Sequence, residues 1–220
     1  MLELRNLTVG YRKVAAGPLD RSFADGECVM LCGSNGSGKT TLMKTIAGLI
    51  PPLGGSFSVS GKTVMVPTRI SKVKGFTVRE FIQTSIRTGI AGASDVREAV
   101  DRAVDLLRLG HIQNCDISHV SDGEFQKACI ATAFTRDCSV MLLDEPTAFL
   151  DVANRIMVLS TLKEIASATG TTVLFSTHDI HDGAIYSDSV IDLGGVHGKH
   201  RVQQHGRTRL WKTVPAEDVP

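Results

Sequence analysis

The sequence predicts an α/β fold built on a largely parallel sheet. Short runs rich in Val, Leu and Ile ("LELRNLTV", "ECVMLC", "TVMVP", "SVMLLD", "TTVLFS" and "SVIDL") alternate with segments of helical period. Two of these runs, "SVMLLD" and "TTVLFS", are almost continuously apolar, as strands covered on both faces require. From about Thr77 to Ala133 the pattern is mainly helical, which predicts a helical lobe inserted into the core.

The first element with a chemical meaning follows the strand "ECVMLC". It is "GSNGSGKT", Gly33 to Thr40, and it leads into the helical "TTLMKTIAGL". A G-x-x-x-x-G-K-[ST] pattern between strand and helix is a phosphate-binding loop. Glycines let backbone N–H groups close around phosphates without Cβ clashes, and the helix N-terminus adds its positive dipole end. Gly33, Ser34, Asn35, Gly36, Ser37, Gly38, Lys39, Thr40 and Thr41 are therefore the candidate phosphate contacts. Lys39 would reach the β- and γ-phosphates, and the Thr40 hydroxyl would sit on Mg²⁺.

Within the helical stretch, Val96, Val100, Ala103, Val104 and Leu107 share one face of a helix predicted over Val96–Leu109, with Ser94 before it and Gly110 as its stop signal. Further on, "HVSDGEFQK" places Ser121 three residues before Glu124, the spacing of a capping box. On this stretch alone it stays open whether Ser121 and the Gly123 amide cap a helix only or also face a phosphate. "SVMLLDEP" then ends a strand in Asp144, suited to the hydration shell of Mg²⁺, and Glu145, placed to polarise an attacking water. "VLFSTHD" ends another strand in His178, at the edge where α/β sheets bind ligands, within reach of a γ-phosphate.

Composition bounds the function. The 220 residues, 42% hydrophobic and 21% charged, suffice for one domain with a real core. A formal net charge of +1 gives no global field for nucleic acid. No apolar run approaches the ~18 residues of a membrane span, and the N-terminal stretch lacks the apolar core of a signal peptide, so the expected location is the cytosol. Five cysteines, Cys28, Cys32, Cys115, Cys129 and Cys138, are an odd number and read as reduced packing residues. After Gly194 the chain looks loosely organised. Its His197, His200 and His205 lie in a basic stretch without a Cys or carboxylate to complete a metal set, so it reads as a solvated tail or edge hairpin.

Taken together, the motifs resemble the nucleotide-binding subunits of ABC transporters, over Leu2 to about Leu193. Tyr11 in "VGYRK" resembles the aromatic that stacks on adenine, "GSNGSGKT" the Walker A loop, and "VSDGEFQK" the family signature. "MLLDEP" resembles the Walker B strand, "AFLD" the D-loop, and "STHD" the switch-histidine segment. The resemblance implies a P-loop ATPase of the ABC type over residues 1–220, with an N-terminal antiparallel β part, a helical subdomain at about 77–133 and a tail from 195 to 220. It also implies a head-to-tail dimer with two ATP molecules between the chains, each site completed by Ser121, Asp122, Gly123, Glu124 and Asp151 of the opposite chain. The implied partners are a second copy, transmembrane permease subunits and, indirectly, a solute-binding protein, with the chain peripheral on the inner face of the membrane.

Departures accompany the matches. Where the family usually carries Gln near the metal, this chain has Thr68, whose shorter hydroxyl could touch a bound water but puts a direct metal contact in question. Asp122 and Glu124 replace Gly and Gln in the signature, and Lys127 replaces Arg; both acids favour the helix dipole and can point away from a bound anion. "SDGE-x-QK" with "DEPTAFLD" is similar to the subgroup that energises import of iron-siderophore, haem or cobalamin complexes. Import also fits an ATPase with no fused membrane domain. A soluble ABC-type ATPase of a cytosolic assembly, such as iron–sulfur cluster scaffolding, and a low-turnover regulatory nucleotide binder are the alternatives.

Overall fold

The computed structural model describes residues 1–68, 70–86, 93–194, 201–204 and 207–210, with residues 93 and 94 and the last two segments described by backbone alone. In chain order the elements are β1 (Leu2–Gly10), β2 (Val14–Phe23), β3 (Cys28–Cys32), α1 (Lys39–Ile46), β4 (Gly54–Val59) and β5 (Thr63–Val66). The lobe follows as α2 (Val78–Gln83), α3 (Ala93–Leu106) and α4 (Asp122–Phe134). The chain then forms β6 (Val140–Leu143), α5 (Val152–Thr169), β7 (Thr172–Ser176), α6 (Ile180–Ile185) and β8 (Ser189–Asp192), and a hairpin of β9 (Arg201–Gln204) and β10 (Arg207–Leu210).

The main sheet runs in the order β10-β9-β8-β3-β7-β6-β5. Its strands β8, β3, β7, β6 and β5 are mutually parallel, while β9 pairs antiparallel with β8. A separate antiparallel sheet, β2-β1-β4, is the N-terminal β part. Neither β2 nor β4 stands out in sequence, because Gly17 and Pro18 interrupt one and paired glycines open the other. The histidines of the tail, His197, His200 and His205, lie outside the described residues.

Period-2 alternation divides the core between the two faces of the parallel sheet. Met30, Met141, Leu143, Val173 and Phe175 face one cluster, built with α5 and the lobe helices. Val29, Leu31, Val140, Leu142 and Leu174 face the other, built with α1 and the antiparallel sheet. Covered on both faces, the central strands expose their chemistry only at their C-terminal ends.

The helix predicted over Val96–Leu109 ends earlier, at Leu106. Arg108, not Gly110, takes the left-handed conformation, at φ 53°. The Arg108 N–H donates to the Asp105 carbonyl at 3.0 Å and the Leu109 N–H to the Val104 carbonyl at 2.8 Å, the paired bonds of a Schellman stop. Burial of Leu107 and Leu109 fixes the register of this turn, so packing overrides the preference for glycine. The five cysteines are free; burial pushes the Cys28, Cys32 and Cys129 thiols up to about 12 and that of Cys138 to about 11, which keeps them protonated.

Arg108→Gly relieves a left-handed side chain and should stabilise the fold by about 0.5–1 kcal/mol in urea denaturation. Gly110→Ala, at a position with open space and no positive φ, should change stability by less than ~0.5 kcal/mol.

Candidate functional site

The site forms where β3, β6 and β7 end side by side. The phosphate loop leaves β3 and enters α1 through Gly38, the N-cap, at φ 95°. A Cβ there would lie 2.9 Å from the Ala16 Cβ and 3.1 Å from the backbone of Ala15, so the start of β2 presses on the loop and only glycine fits. Gly33 is equally constrained, since a Cβ would meet the Ser37 Oγ at 2.5 Å. Lys39 is buried, its ammonium folded back to donate to the Gly33 carbonyl at 2.7 Å and the Ser34 carbonyl at 3.2 Å. Ser34, Asn35, Gly36 and Thr40 face solvent, Thr41 is half-buried, and the Ser37 hydroxyl is buried without a hydrogen-bond partner.

Asp144 is the hub. Its carboxylate is 5% exposed and accepts from the Thr40 hydroxyl at 2.8 Å and from the Ser176 hydroxyl at 2.8 Å. Parallel register makes this meeting possible: Leu143 of β6 pairs with Phe175 of β7, so the next residues, Asp144 and Ser176, emerge together. Ser176 also accepts from the Glu145 N–H at 2.9 Å. Glu145 has a left-handed backbone, φ 52°, unusual for a side chain of its size, and this hydrogen bond helps to hold it there. The Glu145 carboxylate then meets the Nε2 of His178 at 2.6 Å.

The histidine segment is braced from behind. Arg155 of α5 pairs with Asp179, whose N–H donates to the Thr177 hydroxyl at 3.1 Å, and also lies 3.9 Å from Asp182. A shallow cleft is lined by Glu145, Thr147, Arg155, Thr177, His178 and Asp179. Sequence reasoning missed Ser176 and Arg155. Ser176 had a readable signal, a lone hydroxyl ending an apolar strand; Arg155 had none without the packing of α5.

Those residues fit a triphosphate with a divalent cation. At Gly33 and Gly38 the loop leaves no room for a Cβ, and Ser37 holds a buried hydroxyl that lacks a partner. Asp144 is a buried carboxylate met only by neutral hydroxyls and has no cation paired with it among the described residues. Thr40 and Asp144 suit Mg²⁺, which takes one or two protein oxygens and completes its shell with phosphate and water. Among the described residues no cluster of three or more His, Cys, Asp or Glu could hold a metal by itself. Thr68 lies two residues beyond Val66, whose carbonyl accepts from the Asp144 N–H at 2.9 Å, so it neighbours the hub along the chain.

The signature elements stand apart from this cluster. Ser121 caps α4 in a complete capping box: its hydroxyl accepts from the Glu124 N–H at 3.2 Å, and the Glu124 carboxylate accepts from the Ser121 N–H at 2.9 Å. These bonds hold the Glu124 carboxyl below its ordinary value of 4.5, with His111 adding to the effect at 3.3 Å. Asp122 points to Lys72, 2.8 Å away. A Cβ on Gly123 would lie 3.0 Å from Leu150 Cδ2 and 3.1 Å from the Phe149 carbonyl, so the signature packs on the D-loop. Asp151 caps α5, accepting from the Asn154 N–H at 2.8 Å, which lowers its carboxyl as well. Tyr11, in the turn between β1 and β2, is exposed. Among the described residues no hydrogen bond or ion pair links Ser121, Asp122, Gly123, Glu124 or Asp151 to the phosphate loop of the same chain.

A phosphate loop, a buried metal-type carboxylate and a Glu–His pair on parallel strand ends define a P-loop ATPase. A sequence model of the family described as ABC transporter matches residues 17–148. The achromobactin transport ATP-binding protein of Dickeya dadantii is 30% identical over 231 residues, covering 97% of this chain and 82% of that protein. A sulfate/thiosulfate import ATP-binding protein of Caulobacter vibrioides is 32% identical over 210 residues, covering 89% of this chain; the chain spans 61% of that relative, under two thirds of its length. A solved metal-chelate type ABC transporter in an inward-facing conformation superposes with a TM-score of 0.80 at 27% identity, over 92% of this chain and 82% of that one. The chain belongs to the ABC transporter family. It is an ABC ATPase, of the class that couples ATP hydrolysis to transport.

Two outcomes follow from the geometry. Ser176→Ala removes the group that joins Asp144 to Glu145 and should lower kcat for ATP by about 10- to 100-fold in a steady-state assay, the equivalent of ~1.4–2.8 kcal/mol. Glu124 is lowered in the folded state, so its stabilisation is full above its ordinary 4.5 and fades as pH falls through the folded value. The stability gap between the unchanged chain and Glu124→Gln, read by thermal denaturation from pH 7 downward, should therefore narrow progressively as the pH is taken below 4.5.

Proposed function

We propose that this chain is the ATP-hydrolysing subunit of an ABC importer, acting as a head-to-tail dimer beneath a transmembrane permease. The observation that carries the reading is the split of its machinery. The Lys39 loop, Asp144, Glu145 and His178 converge on one edge of the sheet, while among the described residues no hydrogen bond or ion pair joins the capped N-terminus of α4 to that loop. A second copy, turned head to tail, would bring Ser121, Gly123 and Asp151 to the open side of the phosphate loop.

In that arrangement the residues divide the work. Lys39 exchanges its two carbonyl acceptors for phosphate oxygens, and the amides of Gly33 to Thr41 cradle the chain of phosphates. Mg²⁺ bound at Thr40 and Asp144 would neutralise charge on the β- and γ-phosphates. Glu145 accepts a proton from water, and His178, at 2.6 Å, holds its carboxylate in place and turns toward the γ-phosphate. Tyr11, exposed in its turn, offers a ring to the adenine. Thr68, with its short side chain, would serve a metal-bound water and not the ion itself.

Cargo of the iron-siderophore, haem or cobalamin kind is supported by the similarity to an achromobactin transport protein and to a metal-chelate type transporter. A relative of similar identity is named for sulfate and thiosulfate, which accords with solute choice residing in other subunits. Among the described residues no helix is long and apolar enough to cross a membrane; in the proposed arrangement a permease supplies the path. Ile70, Val73 and Phe76, exposed on the connection between β5 and α2, offer an apolar seat for it.

Glu145→Gln should keep ATP affinity within about threefold and cut turnover by at least ~10³-fold. Pulled from detergent-solubilised native membranes with Mg-ATP, that tagged variant should bring a multi-span permease and its solute-binding protein. Recovery with cytosolic partners alone would replace transport with an assembly ATPase.

A further inference from the structure

The signature of this chain places a carboxylate, Asp122, on the first residue of α4, the helix end that meets the opposing phosphate in the dimer reading. An uncompensated negative charge there would repel the nucleotide. The structure supplies its partner from another part of the chain. Lys72, on the connection between β5 and α2, places its ammonium 2.8 Å from Asp122 Oδ1 and donates to the Val120 carbonyl at 2.6 Å. The same group lies 5.8 Å from the centre of the Phe125 ring. One side chain thus touches the residue before the cap, the first residue of α4 and the ring that anchors α4 in the lobe.

We propose that Lys72 is a positioning residue for ATP hydrolysis, neutralising Asp122 and locking the α4 N-terminus to the connection that carries Thr68. Two departures in this chain are thereby linked: the acid in the signature is matched by a cation on the segment that carries Thr68. The connection is fastened at two further points, the Gly75 N–H to Asp116 at 3.2 Å and the Ile117 N–H to the Phe76 carbonyl at 2.8 Å. A push on exposed Ile70, Val73 or Phe76 is then transmitted to the signature by an ion pair. The inference rests on the head-to-tail dimer reading, because only there does the α4 N-terminus meet a nucleotide.

A mutant cycle tests it. Lys72→Met should lower kcat at least about fivefold in the Asp122 chain and less than about twofold in the Asp122→Gly chain. Nucleotide affinity of the separate chain should not move in either, since among the described residues no hydrogen bond or ion pair joins Lys72 to its own phosphate loop. Equal losses in the two backgrounds, or an unchanged kcat, would overturn the proposal, because a merely packed lysine ignores its neighbour's charge. If Lys72→Met does not fold, Lys72→Gln, which keeps a donor for the Val120 carbonyl, takes its place in the cycle. Mg-ATP-dependent dimerisation is measured beside it in Glu145→Gln chains by size-exclusion light scattering. Dimers that form with Lys72 and weaken without it support the proposal. No dimer in either chain sinks the dimer reading itself, and the proposal with it.

Discussion

Everything catalytic in this molecule hangs from one buried carboxylate. Asp144 draws the Thr40 hydroxyl from the phosphate loop and the Ser176 hydroxyl from the neighbouring strand into one hydrogen-bonded cluster. Two segments far apart in sequence are each held one hydrogen bond from it. A buried charge met only by neutral donors is costly in isolation, and that cost is the reason a cation fits there. The same serine that satisfies Asp144 holds the backbone of Glu145, so the carboxylate proposed for the metal and the one proposed to activate water share a single support.

Electrostatics on the signature side follow a different plan. Two acids stand at a helix N-terminus, and each is answered separately. Glu124 is folded onto its own cap, where backbone and hydroxyl donors suit the charged form. Asp122 is answered by Lys72 from outside the helix. With each acid paired, an acidic signature can still present the positive dipole end of α4. Lys127, buried on α4, donates to Asn154 at 3.2 Å and ties this helix to the one capped by Asp151.

Much of this was legible in the residues because the chemistry is local. The phosphate loop, the capping box and the carboxylates at strand ends are each set by neighbours within a few positions, and the parallel sheet follows from strands apolar on both faces. What escaped depends on contacts between distant segments. β2 and β4 hide behind glycines and a proline. Arg108 replaced Gly110 as the helix stop because Leu109 needed burial, which no propensity reveals. Ser176 and Lys72 acquire their roles only from strand register and from the packing of a connection on a helix.

The left-handed backbone of Glu145 sets function against durability. An L-residue held at φ 52° costs on the order of 1 kcal/mol that glycine would not incur. The chain would therefore become more robust by exchanging this carboxylate, the water-activating group of the proposed mechanism, for hydrogen. Drift governed by folding alone would favour that exchange and leave a sturdier protein that binds its nucleotide and no longer consumes it. In the proposed mechanism, glutamate at this strained position trades stability for turnover, in the geometry of one peptide unit.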